Sequence, residues 1–272
     1  MNIQAVARRT GVPAATLRKW EERYGVPAPS RTNGAQRIFS DRDIRQIEWL
    51  RDRLDDGLRI SQAVELLRRI DEPVGGTADL CDALSAAVEA RVPSRIEALV
   101  NQTFAVCEPP SAIVEVAAPV LERTGELWEH DRISVADEHF VAQLLATKLR
   151  TLLDTTASGA TGVAVLACVP GERHEIGLLS LATLLQLDGW RVVYLGQDTP
   201  PAAAFELAAD LGARVVAVSA TMDGPAGAAR EELERLARDH QDLRLVLGGR
   251  AFRGPTAAEA VQSLRRLRRR AA

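Results

Sequence analysis

Val163-Ala-Val-Leu-Ala-Cys168-Val169-Pro-Gly171-Glu172-Arg-His174-Glu-Ile176-Gly177 decides how the C-terminal half folds. Its first seven residues are all apolar and stop at Pro170-Gly171. A short, continuous, valine-rich run of this kind reads as a strand buried on both faces. Three further β-branched runs follow, Arg191 to Leu195, Arg214 to Ser219 and Leu243 to Leu247. Each is bounded by Gly or Pro and followed by residues with helical spacing. Strands alternating with helices predict a doubly wound parallel α/β sheet over residues 158–272.

In an open α/β sheet, ligands bind beyond the carboxyl ends of the strands. Three loops are predicted on that rim: Glu172-Arg173-His174-Glu175-Ile176-Gly177 after the first strand, Ser219-Ala220-Thr221 at the end of the third, and Gly248-Gly249 at the end of the fourth. The trio resembles the cobalamin-binding fingerprint of methionine synthase and related corrinoid proteins, with Glu172 where Asp is more frequent. That resemblance implies a flavodoxin-like cobalamin-binding fold. It also implies His174 as the lower axial ligand to cobalt, with the displaced nucleotide tail in a slot beside the sheet. The residue types suit that chemistry. A neutral imidazole is a good nitrogen donor to a transition metal, and a carboxylate two residues earlier can accept its other N–H. Ser219 offers a hydroxyl to the base, next to Thr221, while Gly177, Gly248 and Gly249 allow close backbone approach. After Gly249 the chain runs through Arg253-Gly254-Pro255 into a final helix, with no clear sequence for the fifth strand of that fold.

Working back toward the N-terminus, residues 78–157 are Ala- and Leu-rich, with breaks at Val92-Pro93-Ser94, Pro109-Pro110 and Asp131 to Ser134. Four helices in a bundle are predicted. Ser134 and Asp137 resemble a capping box, so that Trp128 and the pair Glu138-His139 should face each other across a helical hairpin. Tryptophan, nine residues, then Glu-His resembles the motif of the light-sensing CarH and LitR-type regulators. By that resemblance Trp128 covers the adenosyl group of adenosylcobalamin, and Glu138 and His139 hydrogen-bond its sugar and base. Photosensing members carry a histidine directly after the tryptophan; this chain has Glu129 there and His130 next. His130 is a possible second cobalt ligand, though one helical step turns it by about 100°.

Glu72-Pro-Val-Gly-Gly-Thr77 is a linker, residues 72–77, and residues 1–71 form a separate segment. Two short apolar-periodic runs broken at Thr10-Gly11 predict a helix-turn-helix. Its second helix buries Leu17 and Trp20 and turns Thr16, Arg18, Lys19 and Arg23 toward DNA. Tyr24 and a loop with Arg31, Asn33, Gly34 and Arg37 then suggest a short basic β-ribbon, and Ser40 with Asp43 a capped helix containing Ile44, Ile47, Leu50 and Leu54, ended by Gly57. The string VARRTGVPAATLRKWEERYGVPAPSRTNGAQRIFSDRDI resembles the winged helix-turn-helix of the MerR family. That implies major-groove entry, wing contacts to the backbone and a palindromic double-stranded operator bound by a dimer.

Charge agrees with this division. Residues 1–70 hold 14 Lys+Arg against 9 Asp+Glu, whereas the whole chain has 34 against 37. One end of the molecule is suited to a polyanion. The terminal Arg265 to Arg270 run reads as a solvated helix face. Cys81, Cys107 and Cys168 form no CxxC pair and read as buried apolar fillers, which argues against a zinc site or a disulfide framework. No run approaches the ~18 apolar residues of a membrane span, so a cytoplasmic protein without membrane contact is expected.

The expected function is a non-enzymatic transcriptional regulator that binds adenosylcobalamin, forms a dimer-to-tetramer homo-oligomer on its operator in darkness and releases it on photolysis. By the resemblance, carotenoid or other photoprotective genes are the targets. Three rivals stand: a light-independent repressor governed by cofactor supply or an antirepressor, a corrinoid carrier enzyme that passes methyl groups, and a scaffold that holds no cofactor.

Overall fold

The computed structural model describes residues 1–31, 37–55, 57–71 and 76–271. The chain divides into two units, Met1–Val74 and Gly75–Ala272.

In the first unit, α1 (Ile3–Thr10) is capped by the Asn2 side chain and ends at Gly11, whose φ of 74° suits a residue without Cβ. After the turn, α2 (Ala14–Tyr24) buries Leu17 and Trp20, three residues apart on one side. Two-residue strands β1 (Ser30–Arg31) and β2 (Arg37–Ile38) pair antiparallel. Ser40 then caps α3 (Asp41–Asp55): Asp43 accepts from the Ser40 backbone N–H at 2.7 Å, and Ser40 Oγ accepts from the Asp43 N–H at 3.2 Å. Ile44, Ile47 and Leu50 close the core against Val6, Leu17, Trp20 and α4 (Ile60–Asp71), while Leu54 is half-buried at its edge. Of the linker, residues 72–75 lie outside the described residues. Thr77 already begins a helix, with Gly76 as its N-cap.

The second unit opens with the bundle. Its helices are α5 (Thr77–Glu89), α6 (Pro93–Val106), a third rod and α9 (Val135–Thr155). The third rod is a single turn α7 (Pro109–Ser111), a π-helical stretch Ala112–Ala117 and α8 (Ala118–Glu129). Sequence periodicity had no signal for the π stretch. It ends two residues before Pro119, which has no N–H to donate to the preceding turn, and the wider i→i+5 pattern accommodates that loss.

The α/β layer follows: β3 (Val163–Cys168), α10 (Ile176–Leu187), β4 (Arg191–Gly196), α11 (Pro201–Asp210), β5 (Val215–Ser219), α12 (Asp223–Asp239), β6 (Arg244–Gly248), a 3-10 turn Arg250–Phe252 and α13 (Ala257–Ala271). All pairings are parallel, in the order β4-β3-β5-β6. Among the described residues the sheet has these four strands, and β6 lies at its edge. Alternate residues divide the core. Ala164, Leu166 and Cys168 face α10 and α13, whereas Val165, Ala167 and Val169 face α11 and α12.

Bundle and sheet, expected over residues 78–157 and 158–272, lie in one compact unit, Gly75–Ala272. Ile113, Ala146 and Leu149 of the bundle share one core cluster with α10 and the sheet. That is why α10 is buried almost all round, an unbroken run from Leu178 to Gln186. Two smaller expectations are corrected. Cys168 is buried, but Cys81 and Cys107 are only half-buried. Arg265 is not simply solvated, because its guanidinium donates to Asp188 at 2.6 Å and ties α13 to the end of α10. Among the described residues, no helix is long and apolar enough to cross a membrane.

Candidate functional site

The chain order passes from β3 outward to β4, then returns to β5 on the other flank of β3. The crevice beyond the carboxyl ends of β3 and β5 is therefore the switch point where such sheets bind ligands. Glu172 spans it. Its side chain is 0% exposed and accepts four hydrogen bonds. Oε1 receives the His174 backbone N–H at 2.8 Å and the His174 ring at 2.7 Å. Oε2 receives the N–H groups of Thr221 at 2.7 Å and Met222 at 2.8 Å, from the loop after β5. Burial pushes the Glu172 pKa up, but these hydrogen bonds outweigh it, and the carboxyl lies below the ordinary range.

An ionised carboxylate can only accept, so His174 Nδ1 carries the proton and donates. Nε2 is left without a protein partner on a side chain that is 59% exposed at the rim. An imidazole oriented through Nδ1, with its other nitrogen free of protein partners, is a metal-ligand geometry.

The His174 loop is pinned from other directions. Gly171 N–H donates to Asp198 at 2.8 Å, and Gln197 donates to the Arg173 carbonyl at 2.9 Å. Glu175 is gripped by Arg150 of α9 and accepts from the Tyr194 hydroxyl at 2.8 Å. Burial and the Glu175 carboxylate push the Tyr194 pKa up.

Ser219 is buried at the end of β5, and its hydroxyl has no hydrogen-bond partner among the described residues. At Gly249, with φ of 87°, a Cβ would stand 2.2 Å from the Ala220 carbonyl oxygen. Only glycine lets these two loops pack so closely. Gly248 lies beside them, with Ser219 Oγ 4.0 Å from where its Cβ would be. At Gly177 a Cβ would meet nothing within 4 Å, so that glycine answers to no contact inside the protein. A free imidazole nitrogen, a strand-end hydroxyl with no protein partner among the described residues and a rim cleared of side chains together fit a cobalamin.

At the bundle's end, Leu127 turns into the core while Trp128 is 46% exposed. Glu138 and His139 lie in the first turns of α9, behind the Ser134 cap, and bond to each other rather than to Trp128. Glu129, beside Trp128, accepts from Arg250 at 2.9 Å, which brings the end of α8 to the loop after β6. His130 Nδ1 bonds the Glu126 carbonyl of its own helix at 2.7 Å.

In the first unit, Arg18, Lys19 and Arg23 are exposed on α2, with Thr16 and Tyr24 half-buried beside them. Arg23 stacks over the Tyr24 ring at 5.6 Å. Arg37 is instead paired with Glu21 of α2 at 2.6 Å, an internal brace between ribbon and helix. Asn33, Gly34 and the Arg31 side chain lie outside the described residues.

Sequence reasoning missed Arg150, Tyr194, Gln197, Asp198, Met222 and Arg250. Their partners come from other elements, and no local spacing marks them. Pairing of Asp198 with the Gly-rich loop had one available signal, an acidic residue two positions after the glycine that ends β4.

Comparison with known proteins agrees with this geometry. The MerR HTH family regulatory protein model matches residues 1–70, and two B12 binding domain models match residues 80–153 and 162–261. The HTH-type transcriptional repressor CarH of Myxococcus xanthus is 36% identical over 230 residues, covering 79% of this chain and 75% of that protein. CarA of the same organism, also an HTH-type transcriptional repressor, is 31% identical over 80% of this chain and 76% of its own. The solved Methanosarcina barkeri monomethylamine corrinoid protein superposes with a TM-score of 0.55 at 19% identity, over 65% of this chain and 86% of that one, a likeness of fold alone. With a MerR-type head, two B12-binding segments and that extent of identity, the chain belongs to the family of the HTH-type repressors CarH and CarA, as a cobalamin-binding transcriptional regulator rather than an enzyme.

Proposed function

We propose that the chain is an adenosylcobalamin-gated repressor whose hold on DNA is released by light. The observation that carries the reading is the buried Glu172 carboxylate, which fixes the His174 ring with one nitrogen free at the sheet rim. In this reading His174 is the lower cobalt ligand. Ser219, Thr221, Gly177, Gly248 and Gly249 receive the nucleotide tail and the ring edge. Trp128, Glu138 and His139 meet the adenosyl group from the bundle side. When bound, adenosylcobalamin supplies a light-labile cobalt–carbon bond. The protein's part is to hold two assemblies of different affinity for the adenosyl form, because a ligand shifts an equilibrium only by such a difference. Exposed Trp128 is the side chain best suited to sense loss of the adenosyl group. Arg18, Lys19, Arg23, Thr16 and Tyr24 of α2, with Arg31 and Asn33, serve operator binding by a dark homo-oligomer, dimer to tetramer, while Arg37, paired with Glu21, steadies the ribbon.

The test is retention of genomic fragments selected by the holo-protein. Retention in darkness and release under green light is the expected result; equal retention in both conditions would contradict light gating. A second reading, repression that follows cofactor supply without light, is favoured by one observation: Glu129 follows Trp128 and is engaged by Arg250. In that case apo-protein and holo-protein differ in DNA retention while illumination changes nothing.

A further inference from the structure

Glu129 and Arg250 are 121 residues apart in sequence, yet their side chains meet at 2.9 Å between the bundle and the sheet. The two partners stand on different footings. Arg250 follows Gly249 on a loop whose backbone is held in place, since the Ala251 N–H donates to the Ala220 carbonyl at 3.2 Å and the Arg253 N–H to the Arg250 carbonyl at 3.1 Å. Glu129 closes α8 at an end the bundle does not bury, with exposed Trp128 before it and exposed His130 after it. Further along the bundle, the attachment to the sheet is of another kind. There Ala146 and Leu149 are packed in the shared core, and Thr183 donates to the Leu149 carbonyl at 3.3 Å. The bundle is thus anchored by buried contacts along α9 and fastened by an ion pair at its α8 end, beside the rim that carries His174.

We propose that Glu129 and Arg250 are positioning residues for the cofactor's upper face: their ion pair holds the end of α8 at the sheet rim, so that Trp128 stands over a cobalamin that carries an adenosyl group. The role rests on the reading of Trp128 as the adenosyl-facing lid. Neither residue need touch the cofactor. Arg250 and Glu129 side chains are 73% and 46% exposed, so the pair is screened by salt and its effect is modest, about two- to fivefold in affinity.

The experiment is equilibrium binding of adenosylcobalamin and of hydroxocobalamin to the full-length chain in darkness, at low and high salt. Arg250→Glu and Glu129→Arg should each weaken adenosylcobalamin binding about two- to fivefold at low salt and leave hydroxocobalamin binding unchanged. The double exchange should restore affinity, with melting temperature unchanged throughout. In a Trp128→Ala background, Arg250→Glu should add nothing, because the pair acts through that side chain. Single variants that bind both forms like the parent, or an exchanged pair no better than the singles, would overturn the proposal. If Trp128→Ala weakens adenosylcobalamin binding but Arg250→Glu does not, the positioning role alone fails. If Trp128→Ala is itself without effect, the lid reading fails and takes the pair's role with it.

Discussion

Glu172 shows at the scale of one residue why this rim can present a ligand. Each carboxylate oxygen accepts two N–H donors, one pair from the His174 position and one from the loop after β5. An amide in its place has one oxygen, and its NH2 would face donors. Glu172→Gln should therefore leave two N–H groups without acceptors, at about 1–3 kcal/mol each if they remain buried. It should also lower cobalamin affinity by about 10- to 100-fold, as loss of a ligand-orienting partner typically does. Titration of the apo-protein with cobalamin, followed by its visible spectrum, measures this; parental affinity would mean that the carboxylate does not orient the ligand. The strand-end positions of His174, Glu172, Ser219 and Gly248-Gly249 were legible in sequence because each ends or follows a strand that announces itself by its apolar run. Arg150, Tyr194 and Arg250 were not, since their partners are 25, 19 and 121 residues away and nothing local marks the pairing.

Among the elements, α9 carries the most consequence, for it begins beside the proposed lid and ends against α10. Its start is set by the reciprocal cap of Ser134 and Asp137, with Arg91 adding an ion pair to Asp137 at 2.9 Å. Burial alone would push the Asp137 pKa up, but the Ser134 hydrogen bonds and Arg91 hold it below the ordinary value. A carboxyl depressed on folding adds stability above its unfolded pKa, about 3.9, and that contribution is lost as pH falls through the folded value. Asp137→Asn should thus lower stability at neutral pH and converge with the parent in acid. Ser134→Ala should cost about 1 kcal/mol, the usual worth of such a cap. Urea denaturation across pH checks both, and a constant difference between Asp137→Asn and the parent at every pH would refute the linkage. Strands and capped helices were readable from period and boundary residues. The π stretch Ala112–Ala117 was not, because apolar spacing does not distinguish an i→i+5 turn from an i→i+4 one.

At the scale of the molecule, a basic head and an acidic body meet different partners, DNA and a cofactor. Sequence divided the body into bundle and sheet because composition changes near residue 158. Packing joins them, since Ile113, Ala146 and Leu149 fill the same core as α10. In the proposed reading that union gives the cofactor two walls, a sheet rim with His174 and a bundle end with Trp128, and the Arg250–Glu129 pair joins bundle and sheet there. Sedimentation of the full-length protein with adenosylcobalamin, followed at the cofactor's visible absorbance, tests the central claim most directly. In darkness the absorbance should travel with an oligomer, shift to a smaller species after green light, and be lost from the protein boundary in His174→Ala. Absorbance that stays with His174→Ala as it does with the parent, or fails to travel with the parent at all, would contradict it.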